Sequence, residues 1–462
     1  MKTMLIHPGA ILTPSGMQIE YKKVPTNHLP LGILYLGQVL KDDGHKVILY
    51  DHYISQKPIK DVIDWIKRVN PDIIGFSVLS ISIPTANVIA KEAKAWNPNL
   101  KIIYGGYIAT FCAPQILKAC EYVDFCVRGE GELTIIELVD KLEKNNSVDE
   151  VLGISYRKDR ELIENPDRPL IKDLDTIPIP DHKLLKQTYT LSGKISPIIS
   201  SRGCPFACRF CSCQTFTNGT WRIRSIENVM AEVQYLQTEG YNEIIFTDDC
   251  FIANQKRILK LCALLKREKF DLDWYATGHA NRSDLNFLRT IVKAGCRTLI
   301  YGFESANQRI LDYYNKKSTP EMALNAVKNA KKAGIEYILG GFMIGAPIET
   351  MDEVLNTINF GLNLQKYGLT AIQFQPLYLL PGTPLYREYS EQGFIDPERD
   401  WNRELVAVDV VPSPLKKEQL EILSKRAFEK FVTNKRFLIT EFLKSAKSSY
   451  RLRSIQNFFK PR

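Results

Sequence analysis

The chain has 462 residues, 45% of them hydrophobic and 24% charged, with a formal net charge of +9. This is the composition of an ordinary globular protein with ample core for two or three domains, and it excludes a disordered or collagen-like chain. No stretch reaches the roughly 18 apolar residues that a membrane span needs, and ten cysteines, three of them bunched in one loop, fit a reducing cytoplasm better than a secreted disulfide framework.

The apolar run before Pro8 and Gly9 is too brief for a signal peptide, so structure is expected from the first residues. Over residues 1–150, apolar runs at Met4 to His7, Lys46 to Tyr50, Ile73 to Ser77, Ile102 to Tyr104 and Phe125 to Val127 read as strands. Helical periodicity occupies Leu31 to Asp42, Ile59 to Val69, Pro84 to Trp96 and Glu132 to Leu142. Strands alternating with helices of this length predict an α/β, Rossmann-like domain with a parallel, doubly wound sheet, whose ligands sit beyond the strand C-termini. The turns there carry Ser77, Leu79 and then Gly105, Gly106 and Thr110. Paired glycines let backbone approach a flat ligand, and small hydroxyls can bond its polar edge.

Residues 151–190 read as a connector. A small hairpin (Gly153 to Arg157, Glu161 to Asn165) precedes Ile177-Pro178-Ile179-Pro180, whose alternate prolines stiffen an extended linker. From 191 to 386 the alternation resumes with strands at Ile195 to Ser200, Glu243 to Thr247, Asp273 to Thr277, Thr298 to Gly302, Tyr337 to Met343 and Ala371 to Pro376. Six βα repeats predict a partial barrel with its chemistry at the strand C-terminal ends. Residues 387–462 read as a helical cap over the barrel mouth with a basic tail, or alternatively as basic and apolar residues laid on a membrane surface.

The first barrel strand runs into Cys204-Pro205-Phe206-Ala207-Cys208-Arg209-Phe210-Cys211. Three thiolates in one tight loop are one short of a closed tetrahedral site. A four-iron cluster held by three cysteines would keep one iron open, whereas zinc would have to borrow Cys213 or a remote histidine, and free core thiols are the remaining reading.

These residues carry a resemblance. Cys-x-x-x-Cys-x-x-Cys with Phe210 before the last cysteine resembles the signature of the radical S-adenosylmethionine (SAM) enzymes. The resemblance implies a [4Fe-4S] cluster on Cys204, Cys208 and Cys211, SAM chelated to the open iron, an electron donor such as flavodoxin or ferredoxin, and cleavage of SAM to a 5′-deoxyadenosyl radical. It places Asp248 or Asp249 at the SAM amino group, the other capping the next helix, and Glu304 and Ser305 at the ribose or amino group. Gly345 and Glu349 fall in the adenine-contacting turn, Arg282 is divided between the SAM carboxylate and a surface salt bridge, and Gln373, Gln375 and Tyr378 face the substrate. Residues 1–150 resemble the cobalamin-binding (B12) domain of many such enzymes, through Pro30-Leu31-Gly32, Gly44-His45-Lys46-Val47, Gly105-Gly106 and Arg128-Gly129-Glu130-Gly131-Glu132. The Asp-x-His-x-x-Gly motif that supplies an axial histidine elsewhere is absent; His28, just before the Pro30-Leu31-Gly32 turn, is the alternative donor to that face.

The resulting expectation is a cobalamin-dependent radical SAM C-methyltransferase acting on an unactivated carbon of a small molecule, either lipid-like or a tetrapyrrole. A cyclase or rearrangement enzyme of the magnesium-protoporphyrin ester cyclase type, and a non-catalytic corrinoid or iron–sulfur sensor, are the alternatives. Nucleic acid is not expected as a partner, because no TRAM-like β-domain follows the barrel.

Overall fold

The structure, a computed structural model, describes residues 1–9, 29–55, 57–185, 195–396, 406–407 and 411–453. The chain divides into two compact units, residues 1–189 with 396–405, and residues 190–395 with 406–462.

In the first unit, β1 (Lys2–His7), α1 (Leu31–Asp42), β2 (Lys46–Asp51), α2 (Ile59–Val69), β3 (Ile73–Ser77), α3 (Ile83–Trp96), β4 (Lys101–Gly105), α4 (Tyr107–Phe111), α5 (Ala113–Ala119), β5 (Phe125–Val127) and α6 (Glu132–Glu143) follow one another. The sheet order β2-β1-β3-β4-β5 is parallel throughout and doubly wound, reversing direction between β1 and β3. Its strands are buried on both faces by helices, which explains their near-continuous apolar runs.

One expectation is corrected here. The hairpin β6 (Ile154–Lys158) and β7 (Glu161–Glu164) does not stand apart in a linker: β6 pairs antiparallel with β5 and extends the first sheet. Buried Arg128 fixes it there, donating to the Ile154 carbonyl (2.7 Å) and to Asp167 (3.1 Å), while Glu130 accepts the Ile171 N–H. The Arg-Gly-Glu-Gly-Glu stretch therefore works as a clasp for the following segment.

The second unit carries β8 (Ile195–Ile198), α7 (Ile226–Thr238), β9 (Glu243–Phe246), α8 (Gln255–Arg267), β10 (Asp273–Gly278), α9 (Leu285–Lys293), β11 (Cys296–Glu304), α10 (Pro320–Ala333), β12 (Tyr337–Ile344), α11 (Met351–Leu364) and β13 (Ala371–Pro376). Helix starts are written in the sequence as caps: Ser225, Asn254, Asp284 and Thr319 each accept a backbone N–H of the first turn, and Thr350 with Glu353 forms a capping box. The six strands form one parallel sheet in the order β13-β12-β11-β10-β9-β8, an incomplete (β/α)6 barrel. On β13, Ile372 and Phe374 join the core while the alternate Gln373 and Gln375 are exposed, so the other face of this strand is not packed shut.

After α12 (Pro384–Glu391), α13 (Lys417–Val432) packs on β13, and α14 (Lys435–Ser445) follows. The described part of this segment does not stay at the mouth of the barrel. Lys417 lies over Tyr378 beyond the end of β13, the Phe431 carbonyl accepts from Gln365 ahead of that strand's start, and the chain then passes beneath the sheet. There Tyr450 donates to Glu243 (2.8 Å), Arg451 donates to Glu336 (2.8 Å) and pairs with Glu441, and Arg453 pairs with Asp273. All three anchor acids in the sheet region sit at strand starts, the end opposite the cysteines. Arg451 and Arg453 are thus spent in ion pairs; residues 454–462, the remainder of the tail, lie outside the described set.

Arg451 is 2% exposed, so Arg451→Ala is expected to remove roughly 2–4 kcal/mol of stability, read as a lower thermal midpoint of the full chain.

Candidate active site

The cysteine loop is aimed by two carboxylates from the end of β9. Asp248 is buried and accepts three hydrogen bonds, from the Ser200 N–H (2.6 Å), the Ser200 hydroxyl (2.6 Å) and the Ser201 hydroxyl (2.7 Å). Burial raises its pKa, and the Ser200 and Ser201 donors work against that shift. The Arg257 guanidinium bonds both the Ser200 hydroxyl and carbonyl (3.1 Å each), closing the group. Asp249, which is exposed, accepts the Gly203 N–H at 2.9 Å. Gly203 has φ +90°, and a Cβ there would meet the Thr220 carbonyl at 2.1 Å, so only glycine makes this turn. Neither aspartate caps a helix, contrary to expectation: Asn254 caps α8, and the two acids hold the loop instead.

Beyond that turn the loop is pinned from a second side. The Arg209 N–H donates to the Tyr314 carbonyl (3.0 Å), Asn315 donates to the Ala207 carbonyl (2.8 Å), and the Leu385 N–H donates to the Arg209 carbonyl (3.1 Å). Phe206 stacks on His279 at 4.1 Å, and Phe210 stands edge-on to Tyr314. Burial lowers His279 to about 4, so the ring is neutral.

Cys204, Cys208 and Cys211 converge closely enough that a thiolate at one raises the pKa of its neighbours, and burial pushes Cys208 up to about 11. Cys204 is held below the ordinary range, first by a hydrogen bond with the buried Cys250 thiol. Three mutually interacting thiols from one loop are the donor set of a multi-iron cluster with one open iron, and the cysteines present fit that group.

Facing the loop, Glu304 ends β11 at φ +66°, a left-handed conformation uncommon for a residue other than glycine, next to a register shift in the β11–β12 ladder. Its carboxylate accepts from Lys316 Nζ at 2.7 Å, both side chains being about nine-tenths buried. Gly302 makes room for the pair, because a Cβ there would lie 2.3 Å from Glu304 Oε1. Lys316 also lowers the pKa of Cys208, placing a cation beside the thiols. Sequence reasoning missed Lys316: it lies in a turn with Asn315 and Lys317 at positive φ, and no motif marks it.

Gly345 (φ +86°) donates its N–H to Glu349 at 2.6 Å, and Ala346 does so at 3.0 Å. Burial pushes Glu349 to about 7 despite those donors, and its Oε1, like the Tyr314 hydroxyl, is buried with no hydrogen-bond partner. Buried groups left open in this way are the kind that a polar ligand satisfies. Ser305 is enclosed instead, bonded to Thr357 (3.2 Å) and Asn307 (3.1 Å), and Arg282 is exposed. Of the expected SAM contacts, then, Phe210, Asp249, Glu304, Gly345 and Glu349 are at the ends of the strands or on the cysteine loop with groups to offer. Asp248 and Ser305 are internal braces.

In the first unit, Ser77 and Gly105 are paired neighbours at the ends of β3 and β4. The Val78 N–H donates to the Gly105 carbonyl (2.8 Å), and Gly106 (φ +97°) passes so close that a Cβ would be 2.8 Å from the Val78 carbonyl. Leu79 and Ile81 project unburied from the following turn, an apolar platform beside these glycines that fits a flat corrinoid face. The Thr110 hydroxyl is taken internally, donating to the Gly106 carbonyl (2.9 Å) and accepting the Gly129 N–H (3.0 Å), and so ties the two turns together. His28 lies outside the described residues.

Two family descriptions match the chain: Radical SAM superfamily over residues 198–361, and B12 binding domain over residues 20–139. The chain is 35% identical over 446 residues to an uncharacterised methyltransferase of Pyrococcus horikoshii, covering 96% of this chain and 94% of that one. It is 27% identical over 456 residues to the anaerobic magnesium-protoporphyrin IX monomethyl ester cyclase of Rubrivivax gelatinosus, covering 96% and 80%. Among solved structures, the radical SAM methyltransferase TsrM of Kitasatospora setae with cobalamin and a [4Fe-4S] cluster bound aligns with a TM-score of 0.70 at 17% identity, over 85% of this chain and 78% of that one. The cobalamin-dependent radical enzyme OxsB with aqua-cobalamin and SAM bound aligns with a TM-score of 0.72 at 19% identity, over 99% and 72%. With an open three-cysteine site at the head of the barrel and a glycine-paired ligand edge on the preceding sheet, the chain belongs to the cobalamin-binding-domain-containing radical SAM enzymes.

Proposed function

We propose that the protein is a cobalamin-dependent radical SAM methyltransferase that methylates an unactivated carbon of a small molecule. The observation that carries this reading is the convergence of Cys204, Cys208 and Cys211 beside the buried Glu304–Lys316 pair, with an oxygen of Glu349 left open. A relative named as a methyltransferase, matched over nearly the full length of both chains, supports transfer of a methyl group. When bound, the cluster with SAM supplies a hydrogen-abstracting radical and the corrinoid supplies the methyl group.

The chain's own residues hold and shield. Cys204, Cys208 and Cys211 would ligate three irons, Asp249 and Glu304 would accept hydrogen bonds from the SAM amino and ribose groups, and Lys316 would pair with its carboxylate. The Gly345 turn would pass close to the adenine, Ser77 with Gly105 and Gly106 would seat the corrinoid edge, and Leu79 would cover its face. An electron donor of the flavodoxin or ferredoxin type would reduce the cluster.

Anaerobically purified protein is expected to show corrinoid absorption over iron–sulfur absorbance, and after dithionite reduction to release 5′-deoxyadenosine from SAM. Absence of that product would leave a sensor rather than an enzyme. Product mass separates the remaining outcomes, since methylation adds one methylene unit whereas the cyclase-type reaction does not.

Two substitutions test the assignment of roles. Glu304→Gln is expected to weaken SAM binding about tenfold, measured by calorimetry, with iron and sulfide content unchanged. Asp248→Ala, which strands three buried donors, is expected to cost roughly 2–4 kcal/mol and to lower the iron bound per chain after reconstitution.

A further inference from the structure

Helix α14 is amphipathic in the inverted sense. Its inward side carries Phe437, packed against the core, the ion-paired Glu441 and the buried Ser445. Its outward side is apolar: Leu438, Ile439, Phe442 and Leu443 are 50%, 63%, 74% and 56% exposed. Such a patch on a folded domain needs a counterpart. Lys435, Arg436 and Lys447 are exposed on the same helix and the turn that follows it, and Lys444 is partly so.

Charge says which counterpart. Residues 416–462 hold thirteen basic and four acidic side chains, and with Arg451 and Arg453 set against Glu336 and Asp273 the segment keeps seven of its nine surplus positive charges. A second copy meeting this face across a twofold axis would bring two basic clusters together. A bilayer with anionic headgroups meets both properties at once, taking the apolar side chains below the headgroups and the lysines among them. Among the described residues no helix is long and apolar enough to cross a membrane, so attachment would be peripheral.

We propose that the outward face of α14 docks the protein on anionic lipid bilayers. The helix lies beside the barrel's strand starts, where Arg451 joins Glu441 to Glu336, at the end opposite the cysteines.

The test is vesicle flotation of the full holoprotein with phosphatidylcholine vesicles, with or without 30% phosphatidylglycerol. Binding is expected at least tenfold stronger to the anionic vesicles and reduced severalfold by 0.5 M salt. The double substitution Ile439→Ser with Phe442→Ser is expected to abolish it, with the melting midpoint and iron content unchanged. Equal binding to both vesicle types, or undiminished binding by the double variant, overturns the proposal. So does loss of binding only when Phe458 and Phe459 are replaced by serine, which would make the tail the anchor. A concentration-dependent dimer that the double variant dissolves overturns it too, and assigns the face to a second copy.

Discussion

Three hydrogen bonds to one buried carboxylate decide where the cysteines point. Asp248 sits at the end of β9, yet all its donors belong to the neighbouring segment after β8, so the two strand ends are fastened just before the loop begins. A buried carboxylate is costly unless its lone pairs are filled and a cation is near, and Ser200, Ser201 and Arg257 meet both conditions. The next residue, Asp249, holds the following turn through the Gly203 N–H, and the geometry of the thiols is inherited from that point onward. Without the brace, the eight-residue loop would be held at its far side alone, by Tyr314, Asn315 and Leu385.

The opposite wall is built on a different principle. Glu304 is placed in a disfavoured backbone conformation and held by Lys316, a buried ion pair that a ligand can reorganise because each partner keeps further bonding capacity. In the proposed reading, rigid bracing on one side and an exchangeable ion pair on the other would fix the cluster end of the site and let the ligand end adjust. Glu349 contributes in the same manner, spending one oxygen on its own turn and leaving the other open.

Much of this was legible in the sequence, for identifiable reasons. Strand and helix positions came from apolar periodicity and caps, which are local; the Thr350–Glu353 box starts its helix where the pattern says it should. The cysteine spacing named the chemistry, because few other uses need three thiols so close together. What local reading could not supply was the partner of each polar residue. Asp248 and Ser305 look like ligand contacts in a linear motif but face inward, and Lys316 carries no signal because its partner Glu304 is held across a turn. The hairpin at 154–164 was misplaced in a linker since its pairing with β5 depends on a clasp from Arg128. The path of the last helix and the chain after it to the strand starts is set by ion pairs that join residues far apart in the chain.

That last separation bears on how the protein is made. Tyr450 reaches Glu243 across 207 positions, and Arg453 reaches Asp273 across 180. While the chain is being synthesised, the cysteine loop and most of the barrel strands emerge long before the residues that close the sheet's lower rim. A nascent barrel therefore spends much of its time on the ribosome with strand starts and carboxylates uncovered. The residues that fasten the cysteine loop, Leu385 the last of them, all emerge earlier, so that end of the barrel has its bracing before the opposite rim is closed.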